Sequence, residues 1–181
     1  MKILVINGSA TLQSRTRGLS TFISNELSNH QVEVLSFDAG IHLLPIYNGT
    51  NESYSHPEVA RLIQLAEQAN GFFITTPEYH NSMTGALKNA LDFLGGKQFK
   101  NKPVALAAVC GGGKGGINAL NSLRTVVRGV YGLALPSQFV ADPQCFNEQA
   151  EFVAKDGQER VASLVTELVE LTRLTCPKVV V

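Results

Sequence analysis

Ten consecutive residues near the amino terminus, Gly8-Ser9-Ala10-Thr11-Leu12-Gln13-Ser14-Arg15-Thr16-Arg17, gather four hydroxyls and two guanidinium groups between a short apolar run and a helical pattern. This is the composition of an anion site. The first amides of a helix have no carbonyl partner and carry about half a positive charge from the helix dipole, so an anion is favoured there. Hydroxyls and arginines then satisfy its oxygens, each charge-assisted bond contributing about 1.5–3 kcal/mol. A plainer reading, in which Ser14 or Thr16 only caps the helix and the arginines are solvated, stays open on composition alone. The lysine of a GxxxxGKS/T loop is missing, which argues against a nucleoside triphosphatase.

Two further loops carry chemistry. Pro77-Glu78-Tyr79-His80-Asn81-Ser82 follows an apolar run and offers flat side-chain surface together with amide donors, the needs of a planar heterocycle. His80 and Glu78 taken singly also suit a solvated loop or a helix end. Gly111-Gly112-Gly113-Lys114-Gly115-Gly116 satisfies GxGxxG. It follows the fourth predicted strand rather than the first, and no acidic residue lies about 20 positions on, so it is a poor dinucleotide fingerprint. Its glycines permit close backbone approach to a flat ring, with Lys114 near a second anion, and an unliganded turn is the competing reading.

Other chemistries find little support. Cys110, Cys145 and Cys176 form no CxxC pair, and His30, His42, His56 and His80 form no HExxH, so neither a disulfide framework nor a protein-bound metal is expected. Fifteen basic and fifteen acidic side chains cancel, leaving no positive field for nucleic acid or anionic lipid. The run Ile3–Ile6 is shorter than a signal-peptide core and nothing approaches a membrane span, so a cytoplasmic location is expected.

The elements that must position these loops are legible as alternating periods. At 181 residues the chain suits one domain, taken as 1–181. Ile3–Ile6, Val32–Phe37, Gly71–Thr76 and Val104–Val109 read as strands, and Leu133–Val140 as an edge strand broken by Pro136. Helices are expected from Arg15 to about Ser28, after Pro57, over Ala86–Leu94 up to Gly95 and Gly96, over Ile117–Val130, and from about Asn147 to Thr172. Ala39–Ser55 reads as a long loop. Strands alternating with helices imply a parallel sheet covered on both faces. Five strands fit the doubly wound order 2-1-3-4-5, whose crevice opens at the carboxyl ends of the first and third strands.

With these residues in place, the chain resembles the NADPH-dependent FMN reductases of flavodoxin-like fold, a family that includes azoreductases and quinone or chromate reductases. The most specific segment is Pro77-Glu78-Tyr79-His80-Asn81-Ser82-Met83-Thr84-Gly85-Ala86-Leu87-Lys88-Asn89-Ala90-Leu91-Asp92, similar to the family's PEYxxSxxGxLKNAxD. Gly8, Ser9 and Ser14 resemble its GSxRxxSxN loop, with Thr11 standing where an arginine is usual and Thr16 where an asparagine is usual.

The resemblance implies that Ser9, Thr11, Ser14, Thr16 and Arg17 hold the FMN phosphate, with Arg15 and Arg17 as substitutes for the displaced arginine. It implies that Pro77, Glu78, Tyr79, His80, Asn81 and Ser82 line the isoalloxazine and that Gly111, Gly112 and Gly113 cover its other edge. The implied activity is ping-pong transfer from NADPH or NADH through FMN to a quinone, azo compound, free flavin or metal oxyanion, with no side chain assigned acid–base work. A homodimer or homotetramer is implied, with the helix bearing Lys88 and Asp92 near the subunit contact. The alternative is a flavodoxin-type electron carrier without NAD(P)H activity, which the zero net charge disfavours, since such carriers are usually acidic.

Overall fold

The computed structural model describes residues 1–113 and 115–176. Strands β1 (Lys2–Asn7), β2 (Glu33–Asp38), β3 (Gly71–Pro77), β4 (Pro103–Val109) and β5 (Leu133–Ala134) pair in parallel in the order β2-β1-β3-β4-β5, and β6 (Phe139–Ala141) also pairs with β4. The expected strand order is therefore the observed one.

Because side chains alternate across a strand, each central strand feeds two cores. Leu4, Ile6, Phe72, Ile74, Val104 and Leu106 face one layer. Its helices are α3 (Pro57–Gln68), α4 (Gly85–Asp92) and α6 (Ile117–Gly129). Ile3, Val5, Phe73, Ala105 and Ala107 face the other layer, formed by α1 (Arg15–Asn29) and α7 (Lys155–Thr175). Leu19, Ile23 and Leu27 of α1 are fully buried, each contributing about 1.5–3 kcal/mol by leaving water. β3 and β4 are buried along their whole length, which explains the continuous apolar stretches Phe72–Ile74 and Val104–Val109.

Four local features differ from the sequence reading, each for a physical reason. The Leu133–Val140 segment is two strands. Between the pairs Val104↔Ala134 and Ala107↔Phe139 the edge uses four residues where β4 uses two, a bulge containing Pro136, which has no amide to donate. Within Ala39–Ser55 a short helix, α2 (Asn51–Tyr54), forms because Thr50 accepts from the Ser53 amide. Gly96 does not end a helix but opens α5 (Gly96–Phe99), where the Gln98 side chain accepts from the Gly95 amide.

The last helix begins at Lys155, not at Asn147. The Asn147 side chain accepts from the amides of Gln149 and Glu151, and Ala150 adopts a left-handed φ of 62°, so the segment is a side-chain-held turn. A 3-10 turn over Pro143–Cys145 precedes it.

Candidate functional site

The carboxyl ends of β1, β3 and β4 open into a cavity of about 560 Å³, within the size range of small-molecule sites. One wall is the loop after β1 and the start of α1. Ser14 has extended backbone and caps α1, its Oγ accepting from the Arg17 amide at 3.1 Å, while its hydroxyl hydrogen stays free to donate elsewhere. The amides of Arg15 and Thr16, at the first two helical positions, have no intrahelical carbonyl to bond. No acidic residue occupies this first turn, whereas α2, α3 and α7 carry Glu52, Glu58 and Asp156 in theirs.

The loop itself is held by bonds within it, to β3 and to the cap of α4. Ser9 is fully buried and its Oγ accepts from the Thr11 amide at 3.2 Å. Gly8 donates to the Thr75 carbonyl at 2.8 Å, and the Thr84 hydroxyl donates to the Gly8 carbonyl at 2.5 Å. A Cβ on Gly8 would sit 2.8 Å from both Leu87 and that same Thr75 oxygen, so only glycine lets the chain pass between β3 and α4.

The second wall is Pro77, Glu78 and Tyr79 after β3, and the third is Val109, Cys110 and Gly111 after β4. Tyr79 and Ser82 exchange backbone hydrogen bonds of 3.0 and 3.1 Å around His80 and Asn81, whose φ values are 51° and 63°. Two successive positive φ angles make this a type I′ turn, leaving the two central amides outside the turn's own bonds. Tyr79 is about half exposed, presenting its ring to the opening.

The family described as NADPH-dependent FMN reductase matches residues 1–146. The chain belongs to that family. It is 43% identical over 168 residues to the NADPH azoreductase of Bacillus sp. (strain OY1-2), covering 93% of this chain and 90% of that one. It is 36% identical over 155 residues to the FMN-dependent NADPH-azoreductase of Staphylococcus saprophyticus, covering 82% and 80%. Among solved structures, the flavoenzyme NAD(P)H:(acceptor) oxidoreductase FerB of Paracoccus denitrificans superposes with a TM-score of 0.78 at 21% identity, over 96% of this chain and 98% of that one. An archaeal flavodoxin superposes with a TM-score of 0.67 at 14% identity, over 96% and 99%. These two likenesses show the flavodoxin-like fold. Family membership makes the chain an oxidoreductase with FMN as cofactor and NADPH as co-substrate.

The residues fit that cofactor. A phosphate ester needs a helix start free of acidic groups, hydroxyl donors beside it and room for an attached ring system, and the α1 start with its cavity has all three. Of the predicted residues, Ser9, Thr11, Ser14, Arg15, Thr16, Pro77, Glu78, Tyr79 and Gly111 line the cavity together. His80 and Asn81 lie on the exposed turn beside it. Ser82 instead lines a separate groove between α4 and α6. Gly112 and Gly113 are exposed beyond Gly111 with positive φ, and Lys114 lies outside the described residues.

Two predicted residues are engaged within the protein. The guanidinium of Arg17 turns away from this cavity and forms a two-pronged ion pair with Asp38, with both N–O distances 2.7 Å. The Glu78 carboxylate faces α6, its Oε2 accepting from the Ala119 amide at 2.8 Å.

The sequence reading missed Gln13, Cys110, Asn147, Glu148 and Ala150, which also line the cavity. The last three were hidden in the presumed start of α7, although Asn147 two residues before Gln149 is an Asx-turn signal. Cys110 is 4% exposed and its thiol donates to Asp142 at 3.0 Å. Burial first, and the Asp142 bond second, push the thiol above its ordinary pKa and keep it protonated at neutral pH.

Among the described residues no helix is long and apolar enough to cross a membrane, and no cluster of three metal-binding side chains occurs.

Proposed function

We propose that this protein reduces small electron acceptors, such as azo compounds, quinones, free flavins or metal oxyanions, with NADPH or NADH as donor and FMN in the 560 Å³ cavity. The observation that carries the reading is the α1 start, with its free amides and the hydroxyls of Ser9, Ser14 and Thr16, opening directly into a space walled by the loops after β3 and β4.

In this reading the amides of Arg15 and Thr16 and the hydroxyls of Ser9, Thr11, Ser14 and Thr16 hold the phosphate. The Arg15 guanidinium adds charge from the rim. Pro77 and Tyr79 supply flat contact, the turn amides of His80 and Asn81 donate to the polar ring edge, and Gly111–Gly113 cover the opposite edge without side chains. Bound FMN supplies the two-electron acceptance and donation that no side chain in the cavity performs. The protein's own contribution is orientation and exclusion of water, and no residue is assigned as general acid or base.

Donor and acceptor share one opening and therefore enter in turn, which gives ping-pong kinetics. The test is anaerobic mixing of the FMN-loaded protein with NADPH, followed by an azo dye or a quinone. Loss of the yellow colour on NADPH, its return on air-free addition of the acceptor, and parallel double-reciprocal lines are expected. Persistent colour would identify an electron carrier instead, and intersecting lines would exclude alternating entry.

A further inference from the structure

The loop in front of α1 is closed into a ring of hydrogen bonds between the protein's own groups. Arg17 donates through Nε and Nη2 to the two oxygens of Asp38, both at 2.7 Å, and through Nη1 to the Thr11 carbonyl at 3.1 Å. Asp38 ends β2, and its register partner Asn7 ends β1. Asn7 donates from Nδ2 to Asp38 at 2.9 Å and accepts through Oδ1 from the Ser9 amide at 3.3 Å. Ser9 Oγ then accepts from the Thr11 amide, which returns the path to the residue whose carbonyl Arg17 holds.

Every acceptor site of the Asp38 carboxylate is used, since Oδ1 also takes the Gly40 amide at 2.8 Å. The space is equally committed. A Cβ on Gly40 would lie 2.9 Å from Arg17 Nη2 and 3.0 Å from the carbonyls of Ser9 and Ala10, so the guanidinium and the loop backbone close over a position where only glycine fits. The side chains of Arg17 and Asp38 are 23% and 17% exposed, so water screens this pair less than a surface pair.

We propose that Arg17 is a positioning residue rather than a phosphate ligand. Clamped by Asp38, it pins the Thr11 carbonyl and fixes the Ser9–Ser14 turn in its binding shape before the phosphate ester arrives. The proposal rests on the reading that FMN places its phosphate at the start of α1. Its chemical content is preorganisation. A turn already ordered loses less freedom on binding, and the gain falls on ligands that carry the phosphate.

The two roles predict opposite signs for one substitution. If Arg17 reached the phosphate directly, Asp38→Asn would release it toward the ligand and FMN would bind more tightly. If Arg17 acts by holding the loop, Asp38→Asn slackens the loop and FMN binds more weakly. The experiment measures dissociation constants of FMN and of riboflavin, which lacks the phosphate, by fluorescence for wild type, Asp38→Asn, Arg17→Ala and the double variant. Each single substitution is expected to weaken FMN by about five- to tenfold, and the double variant by no more than the larger single effect, as for residues of one network. Riboflavin affinity is expected to stay unchanged, which also reports that the variants fold.

Tighter FMN binding by Asp38→Asn, or additive losses in the double variant, would overturn the proposal. So would equal losses for riboflavin, because the effect would then be general unfolding of the site. A wild-type protein that binds riboflavin and FMN equally would remove the underlying phosphate reading itself, a result recognisable before any variant is made.

Discussion

The carboxylate of Glu78 ends 2.8 Å from the amide nitrogen of Ala119, the third residue of α6. That helix has Gly116 at its N-cap, no side-chain cap and no acidic residue in its own first turn, so the loop after β3 supplies both the acceptor and the negative charge. The bond joins the loop after β3 to the first turn of the helix that follows β4. Close approach is possible because position 115 has no side chain, a Cβ there falling 2.9 Å from Cys110 Cβ and 3.3 Å from Glu78 Oε1. A helix start occupied in this way does not offer its dipole to a second phosphate, which separates the glycine loop physically from a dinucleotide fingerprint.

Removing this cap has a graded consequence. Glu78→Ala is expected to cost about 1 kcal/mol of stability, the usual effect of losing a helix cap. Glu78→Gln keeps an oxygen acceptor, loses only the charge–dipole attraction, and should cost about half as much. Urea unfolding of both variants checks the order, and equal losses would show that charge rather than the hydrogen bond dominates.

Gly18, inside α1, decides where the 147–151 turn lies. A Cβ at that position would fall 1.9 Å from the Ala150 carbonyl oxygen, and Ala150 lines the cavity. Alanine favours a helix over glycine by about 1 kcal/mol, but this overlap involves backbone on both sides and cannot be relieved by a rotamer. Gly18→Ala is therefore expected to lower stability by about 2 kcal/mol, in the range of overpacked sites. It should also increase protease cleavage within Asn147–Glu151, measured by limited proteolysis and mass spectrometry.

Acid should weaken the fold through Asp38. Burial pushes its carboxyl up, but hydrogen bonds from Arg17, Asn7 and Gly40 outweigh this and hold it below its ordinary pKa. A depressed folded-state pKa means that the stabilisation is present above the unfolded value, about 3.9, and is lost as pH falls through the lower folded value. The melting-temperature gap between wild type and Asp38→Asn should accordingly be constant from pH 7 to about 5 and narrow below about pH 4. A gap independent of pH would mean that the ion pair contributes nothing through its charge.

The sequence by itself determined the layer architecture and the three loops. Central strands such as Phe72–Ile74 and Val104–Ala108 are buried on both faces, so they must be apolar throughout, and helices such as α1 must show Leu19, Ile23 and Leu27 at turn spacing. Those periods fix a parallel sheet, and the sheet fixes which loops share its carboxyl edge. The hydroxyls of Ser9, Ser14 and Thr16 were legible for the same reason, because they sit at a local boundary between strand and helix.

Only the tertiary structure decided how charged side chains are spent. Arg17 is read from sequence as a ligand by the company of its loop, and Glu78 by the family resemblance, with a helix end as its other reading. Their actual partners, Asp38 and Ala119, are 21 and 41 positions away and become neighbours only when β2 lies beside β1 and β4, which leads into α6, lies beside β3. The same holds for the Asn147–Ala150 wall, which forms where Gly18 leaves room for it. Periodicity records which face of an element is buried, because burial acts on every residue of that face. An ion pair or a cap depends on a single contact between distant segments, and no local pattern encodes it.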